Sequence, residues 1–246
     1  MKLLIDAGNT RIKWALVDGE DVWLHNGVLP VAQAGDLPGL FAGTQEIQQI
    51  FASNVAGEEV ARHIRNIRTG KVNPVCLIVA RALQCGVRSA YSDAAQLGSD
   101  RWAALIAAWH RVKGRCMVVN CGTAITIDIM TEEGLFSGGL ILPGLELMQR
   151  SLIAAADQLK AGKVDMERAK YERFPLNTED ALFSGAVQAA CGAIERQFGL
   201  LGDDDAEVLL SGGTAGILQE HLNLRLHVVD NLVLQGLLLI SKESSV

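Results

Sequence analysis

Two short stretches of the sequence place a glycine among small polar residues directly after an apolar run. They read "DAGNT" at 6–10 and "NCGTA" at 120–124. A turn of this composition exposes backbone N–H groups that no side chain screens, and such groups can bind phosphate oxygens. The alternative is that both are ordinary hairpin turns, in which Asp, Asn and Gly are the expected residues.

The two turns belong to a longer internal repeat. When the stretches are aligned, Gly8 coincides with Gly122, an offset of 122 − 8 = 114 residues, and the flanking apolar runs coincide as well. Each copy opens a half-chain of similar length, so we predict two related domains, residues 1–115 and residues 116–246. The repetition favours phosphate binding over plain hairpins.

Charged residues border the first turn. Asp6 ends the apolar run before it, where a carboxylate could hold Mg²⁺ through water, because Mg²⁺ prefers a few carboxylates together with phosphates. Lys13 follows the turn and could add a positive charge for the phosphates. In the second copy Asn120 takes the place of Asp6.

A second candidate site is "LGSDRW" at 97–102. Ser99 is predicted to cap a helix, and Asp100 would then lie in the first turn, where the helix dipole favours a negative charge. That explanation leaves Arg101 without a role at a helix start. A site in which Arg101 holds an anionic substrate while Asp100 accepts a hydroxyl proton explains both residues.

Two features of the second half have open interpretations. "LLSGGTAGI" at 209–217 could admit an adenosine moiety close to the backbone, or it is an ordinary loop between a strand and a helix. Asp128 is a further carboxylate near the second turn, but on an alternating strand it would face solvent.

The apolar periodicity predicts an α/β protein. Strands rich in Val, Ile and Leu are predicted at 2–6, 11–18, 49–55, 75–80, 115–120, 123–131, 135–142, 206–211 and 224–229. One helix is predicted from the apolar face formed by Trp102, Leu105, Ile106 and Trp109, and two more at 179–198 and 231–241.

The composition excludes several classes of function. A net charge of −6, with no cluster of Lys and Arg, argues against a nucleic-acid-binding protein. No apolar run approaches the roughly 20 residues of a membrane-spanning helix. Five cysteines without a CxxC pair indicate reduced thiols, and Cys121 and Cys191 are predicted core residues. The histidines lack metal-ligand spacing. We therefore expect a soluble, cytoplasmic protein.

Four motifs together resemble the type III pantothenate kinases of the actin/sugar-kinase/Hsp70 ATPase superfamily: "IDAGNTRIKW", "LGSDRW", "NCGTAITID" and "LSGGT". The resemblance covers essentially the whole chain. It implies an α/β fold of two ribonuclease-H-like (actin-like ATPase) domains, each a mixed sheet flanked by helices, with the active site in the cleft between them. It also implies a homodimer and the conversion of ATP and pantothenate to ADP and 4′-phosphopantothenate, the first step of coenzyme A synthesis.

The resemblance also implies roles for individual residues. ATP contacts are implied at Asp6, Ala7, Gly8, Asn9, Thr10, Arg11, Ile12, Lys13 and Thr123. Pantothenate contacts are implied at Tyr91, Gly98, Ser99, Asp100, Arg101 and Thr178. Asp100 would accept the proton of the primary hydroxyl, Arg101 would orient the substrate, and Asp6 would be the carboxylate associated with Mg²⁺.

The chain departs from the family pattern at two positions. Many members have Asp, associated with a monovalent cation such as K⁺, where this chain has Asn120. An amide is a poorer cation ligand than a carboxylate, so a K⁺ site here is in doubt, and NH₄⁺ or a cationic group elsewhere could replace it. Ala94 stands where the family often has Pro three residues after the tyrosine. The match of Tyr91 to the family's substrate-contacting tyrosine is therefore weaker than the match of the four motifs.

Two alternative functions compete with this interpretation. One is another kinase or phosphohydrolase of the superfamily, such as a sugar kinase or a polyphosphatase, although the short chain and "GSDR" favour pantothenate. The other is a non-enzymatic transcriptional accessory protein. The acidic net charge and the presence of Asp6, Asp100 and Arg101 favour an enzyme.

Overall fold

The computed structural model describes residues 1–42, 44, 47–68, 75–156 and 165–243. The strands are β1 Lys2–Ala7, β2 Arg11–Val17, β3 Trp23–Pro30, β4 Gln49–Asn54, β5 Val75–Leu77, β6 Leu83–Gln84, β7 Val87–Ser89, β8 Cys116–Cys121, β9 Ala124–Met130, β10 Leu135–Pro143, β11 Glu207–Ser211 and β12 Leu226–Val228. The α-helices are α1 Leu37–Leu40, α2 Glu58–Arg65, α3 Ser99–Val112, α4 Leu145–Ala155, α5 Thr178–Leu201, α6 Ala215–Gln219 and α7 Leu232–Glu243. Short 3₁₀ turns cover Val31–Asp36, Ala94–Gln96 and Met166–Arg168.

The described chain groups into two compact units. Unit 1 contains Met1–Lys113, Met130–Gly138 and Asn231–Val246, and unit 2 contains Gly114–Ile129 and Gly139–Asp230. Two later segments of the chain thus return to unit 1. The domain boundary at 115 stays a prediction.

Unit 1 contains a five-stranded sheet in the order β3-β2-β1-β4-β5. β1 is antiparallel to β2 and parallel to β4. Leu3, Leu4 and Ile5 are all fully buried, which is typical of a strand covered on both faces. The helix α7 packs against β1 and β4, and also against α3.

The contact between α3 and α7 is unusually close. A Cβ atom added at Gly236 of α7 would clash with the carbonyl oxygen of Ala103 in α3. Glycine at this position therefore lets the two helix backbones approach. Because α3 begins at the "GSDR" motif, this packing fixes the element that carries Asp100.

Unit 2 repeats the strand order of unit 1. The order β10-β9-β8-β11-β12 corresponds strand for strand to β3-β2-β1-β4-β5, with β11 parallel to both β8 and β12. This confirms the internal repeat and the fold of two mixed sheets flanked by helices. In unit 1, the first residues of β10 pair with β7, which pairs in turn with β6.

The nine predicted strands and three predicted helices are confirmed, with ends that differ by a few residues. The sequence did not predict β3, β6, β7, α1, α2, α4 or α6. Among the described residues, no helix is long and apolar enough to cross a bilayer.

Candidate active site

The first glycine turn joins β1 to β2 in unit 1. The backbone N–H of Gly8 donates to the carbonyl oxygen of Arg11 over 3.0 Å. The flanking Ala7 and Ile12 are opposite each other in the strand pair and fully buried, so their side chains belong to the core. Any contact of these two residues with ATP would therefore use the backbone. Three exposed residues follow the glycine: Asn9, Thr10 and Arg11.

Asp6 lies at the end of β1, opposite Lys13 of β2. Desolvation of its carboxyl group and the nearby negative charge of Asp100 raise the pKa of Asp6 to about 7, while Lys13 acts in the opposite direction. The structure thus places the two predicted functional carboxylates close together. A pair of carboxylates that repel each other in a partly buried site is an environment that a cation would stabilise.

A buried hydrogen bond fixes the start of α3 against the sheet. Ser99 Oγ lies 2.9 Å from Ser53 Oγ, and Ser53 is the partner of Asp6 in the parallel pair of β1 and β4. The prediction that Ser99 caps the helix is wrong, because Gly98 is the N-cap residue and makes no side-chain cap. Ser99 instead uses its hydroxyl group to join α3 to β4.

Asp100 lies in the first turn of α3, as predicted. Its Oδ1 atom accepts a hydrogen bond from the backbone N–H of Arg101 over 2.8 Å, which orients the carboxylate. Arg101 is 6% exposed, so its guanidinium group is not a solvated surface charge. The carbon of that group lies 5.8 Å from the centre of the Phe136 ring.

Tyr91 lies in the segment between β7 and α3 and is partly exposed. Its ring centre is 5.2 Å from that of Phe136. Unit 1 therefore brings together Asp6, Tyr91, Asp100 and Arg101, and Phe136 contacts two of them.

The second glycine turn joins β8 to β9 in unit 2. The backbone N–H of Gly122 donates to the carbonyl oxygen of Ala124 over 3.0 Å. Asn120 is the next-to-last residue of β8 and lies opposite Ser211 of β11. Asp128, the further carboxylate in β9, is 2% exposed, so the interpretation that it faces solvent is wrong.

Two other glycine segments of unit 2 pack directly against the second turn. A Cβ atom at Gly144 would clash with the carbonyl oxygens of Gly122 and Thr123, and the N–H of Gly144 donates to Thr123 O over 2.9 Å. A Cβ atom at Gly212 would clash with the backbone of Cys121, and Gly212 also has a φ of +104°. The "LSGGT" loop is thus in contact with the second turn.

The conformation of the turn glycines does not by itself call for glycine. Hairpin turns select glycine for positive φ, but neither Gly8 nor Gly122 is among the glycines with positive φ. The atom nearest to an added Cβ at Gly122 would be 3.7 Å away, which is ordinary van der Waals contact. Since the fold does not require glycine at this position, the absence of a side chain supports close approach of a ligand.

Thr178 begins α5, after the N-cap Asn177, whose side chain accepts the N–H of Asp180. It lines an open apolar cavity of about 830 Å³ in unit 2, together with Pro143, Met148, Leu152 and Leu176. Pro143 directly precedes Gly144, the residue that contacts the second turn. One end of this segment thus lines the cavity with Thr178, and the next residue contacts Thr123.

Three residues at these sites were not predicted from the sequence. Ser53 is a polar residue inside an otherwise buried strand, which is a signal that could have been used. Gly144 follows a proline at a strand end, and Phe136 is an ordinary apolar strand residue. Within the described ranges, no three His, Cys, Asp or Glu residues are grouped as a metal site. The five cysteines are free, and Cys121 and Cys191 are buried as predicted.

Solved structures similar to this chain share its fold. A Baf family protein from Campylobacter jejuni superposes with a TM-score of 0.62 at 23% identity, covering 99% of this chain and 98% of that one. Component A of (R)-2-hydroxyglutaryl-CoA dehydratase from Acidaminococcus fermentans superposes with a TM-score of 0.54 at 13% identity. The match covers 100% of this chain and 99% of that one. With the sugar kinases among the other neighbours, they place the chain in the actin-like ATPase fold.

Sequence comparison is more specific. A family model described as type III pantothenate kinase matches residues 2–199. A protein of that description from Nitrosospira multiformis is 44% identical over 246 residues, which cover 99% of this chain and 92% of the relative. One from Aromatoleum aromaticum is 42% identical and covers 100% and 99%. The chain belongs to the type III pantothenate kinase family.

Proposed function

We propose that this chain transfers the γ-phosphoryl group of ATP to the hydroxyl group of pantothenate, giving 4′-phosphopantothenate and ADP at the first step of coenzyme A biosynthesis. Membership of the family supports this reaction. The structural observation that carries it is the close pair formed by Asp6 and Asp100, with the buried Arg101 next to Asp100.

Asp100 is the proposed acceptor of the hydroxyl proton. Its carboxylate is oriented by the N–H of Arg101, and α3, on which it lies, is held to β4 by the hydrogen bond between Ser53 and Ser99. Arg101 is proposed to hold the anionic substrate, since a little-hydrated guanidinium binds carboxylates well. Fixed positions of this kind are the main requirement of phosphoryl transfer, which depends on orientation and electrostatics.

A divalent cation, Mg²⁺, is proposed to bind near Asp6 through water. The site fits it, since two carboxylates lie close together and Lys13 opposes only part of their effect at Asp6. When bound, the ion would neutralise charge on the phosphates. Asp6 would hold the ion's water ligands, and Lys13 would add a positive charge for the phosphates.

The two glycine turns are proposed to bind phosphate oxygens of ATP through backbone N–H groups. The first turn would use the segment Asp6–Lys13, and the second would use Thr123. The open space at Gly122 supports this role. The Gly212 loop is the proposed adenosine contact, supported by its packing against Cys121.

A monovalent cation at Asn120 is not supported by the residues present. Asn120 supplies a neutral amide, and its neighbour on β11 is Ser211. A carboxylate ligand offsets the charge of a bound K⁺ or NH₄⁺ ion, and the neutral amide of Asn120 does not. This position would therefore bind either ion weakly. We propose a reaction that does not depend on K⁺.

We further propose that the chain forms a homodimer through the apolar surface at the start of α5. Leu176 is 99% exposed and Phe174 is 81% exposed, beside the apolar cavity that Thr178 lines. Exposed apolar surface of this kind favours a protein partner. Light scattering should show a dimer that Leu176→Glu weakens. The matched variant Leu200→Glu, at a residue that is also exposed on α5, should stay dimeric, and equal weakening by both would contradict this interface.

The predicted domains 1–115 and 116–246 are proposed as the two halves of the enzyme, supported by the repeated strand order. A cytoplasmic location is proposed because ATP is available there and the free cysteines suit a reducing compartment.

A coupled assay of ADP release tests the reaction. With ATP, Mg²⁺ and pantothenate, the purified protein should release ADP, whereas glucose or N-acetylmannosamine in place of pantothenate should give only background. The assay is run with and without K⁺ and NH₄⁺. Absence of turnover with pantothenate under all of these conditions would contradict the proposed function.

A further inference from the structure

Phe136 lies where two of the residues proposed to bind pantothenate meet. Its ring centre is 5.2 Å from that of Tyr91, with the planes inclined at 48°, and 5.8 Å from the guanidinium carbon of Arg101. Phe136 is fully buried, whereas Tyr91 is partly exposed. One buried ring thus contacts side chains from two separate segments of unit 1.

The backbone holds this ring in a fixed position. Phe136 pairs with Ser89 in the parallel contact of β10 with β7, and its carbonyl oxygen accepts the N–H of Ala90 over 2.9 Å. The N–H of Tyr91 donates to Ser89 Oγ over 3.3 Å. The segment that carries Tyr91 is therefore tied to the same strand that carries Phe136.

We propose that Phe136 is a positioning residue for the pantothenate site, acting through Tyr91 and Arg101. An aromatic face attracts a guanidinium group and fixes its height and tilt above the ring. A tilted ring pair limits the rotation of Tyr91. With both side chains ordered before the substrate arrives, less conformational freedom is lost on binding. This inference rests on the proposed function.

The test replaces the ring while keeping an apolar side chain. Phe136→Leu is expected to raise the KM for pantothenate about tenfold, in line with the loss of one cation–π contact and one ring pair. The KM for ATP and kcat should change less than threefold. Phe136→Met should behave alike, and its flexible, unbranched side chain can adapt to the space that the ring leaves, which favours folding.

Phe41→Leu is the matched control. Phe41 is also a buried phenylalanine of unit 1 with one aromatic contact, to Trp14 at 5.1 Å, and is 2% exposed. Phe41→Leu should lower Tm by about as much as Phe136→Leu does, and it should leave the KM for pantothenate unchanged. A double-mutant cycle adds a second readout: in a Tyr91→Leu background, Phe136→Leu should raise the KM by clearly less than tenfold.

The outcomes separate the two proposals. A wild-type protein that does not turn over pantothenate would overturn the proposed function and this inference with it. An active wild type with an unchanged pantothenate KM in Phe136→Leu or Phe136→Met overturns the inference alone. So does a rise of equal size in Phe41→Leu, because that would indicate a general effect of core packing.

Discussion

The turn after β1 and the turn after β8 occupy equivalent places in two sheets of the same strand order, and they differ in their surroundings. The first turn is bordered by three charged side chains, those of Asp6, Lys13 and Asp100. The second turn has the neutral Asn120 at its start and glycine backbone packed against it, at Gly144 and Gly212.

We propose that the two turns have different roles within one repeated framework. A turn with carboxylates nearby can handle a metal and a proton, and this capacity costs stability because like charges repel. A turn built from backbone and small residues can hold phosphates by N–H groups at fixed positions without added charge.

The largest effect is expected at Asp100. Asp100→Asn keeps the size of the side chain and removes the proposed base, so kcat should fall by roughly 10²–10⁴-fold, the usual contribution of a general base. The KM for ATP should change little. Steady-state kinetics of ADP release provide the measurement.

Asp36→Asn is the control for this change, since Asp36 is an exposed aspartate of unit 1. It should leave kcat at the wild-type value. A kcat within threefold of wild type for Asp100→Asn would mean that Asp100 acts as a favourable charge at a helix start and not as a base.

Asp6 should make the protein less stable at higher pH in the absence of metal. Its pKa is raised from 3.8 to about 7, so the folded state binds a proton more tightly than the unfolded state does. Stability then falls as the pH rises from about 4 to 7, by up to about 4 kcal/mol at about 1.4 kcal/mol per pKa unit. Asp6→Asn should therefore raise Tm at pH 8, and this gain should be lost as the pH falls toward 4.

Thermal melts of both proteins at several pH values without Mg²⁺ provide the measurement. Adding Mg²⁺ should stabilise the wild type more than Asp6→Asn, because the ion would offset the repulsion at Asp6. A Tm gain that is the same at pH 4 and pH 8 would contradict an ionised, destabilising carboxylate at the first turn.

At the second turn, the expected loss concerns ATP binding. Gly122→Ala adds a methyl group where the fold has space, so folding should be retained. The methyl group would stand in the way of a phosphate and weaken about one charge-assisted hydrogen bond, raising the KM for ATP roughly tenfold. The pantothenate KM should stay unchanged.

Gly192→Ala on α5 is the matched change, since nothing lies within 4 Å of its added Cβ. It should leave both KM values unchanged and slightly increase stability, because alanine favours a helix over glycine. An unchanged KM for ATP in Gly122→Ala would favour the plain hairpin interpretation of the second turn.

The sequence predicted the buried part of this fold better than the exposed part. Each predicted strand is an apolar run, and continuous burial such as that of β1 gives a clear signal. β3 was missed because it is largely exposed and contains His25, Asn26 and Gly27 in its middle. α2 was missed because its eight residues carry three buried side chains among many charged ones.

For the site, the motifs identified the segments but not the interactions that position them. The paired glycine turns and "GSDR" were visible because they combine residue types that binding and proton transfer can use, glycine with small polar residues and Asp next to Arg. Ser53 and Phe136 make their contacts across the fold, Ser53 with Ser99 and Phe136 with Tyr91 and Arg101. The polar Ser53 inside an apolar strand hints at a partner without naming it, and Phe136 looks like any apolar strand residue, so only the tertiary structure identifies their contacts.

The smallest expected effect would make the second turn more like the first. Asn120→Asp introduces a carboxylate at the end of β8, next to the 6% exposed Ser211. A partly buried charge without a partner is unfavourable, so the variant should lose stability in a buffer of bulky cations such as tetramethylammonium.

Potassium should offset that loss, because a carboxylate can neutralise the ion that the amide of Asn120 cannot. We expect KCl to raise the Tm of Asn120→Asp by a few degrees and its activity by roughly two- to fivefold, the effect of a weak binding site near saturation. The wild type should respond to KCl no more than to tetramethylammonium chloride. If KCl stimulates the wild type as strongly as the variant, then the amide of Asn120 supports a cation site, and the charge difference between the two turns is not what separates their roles.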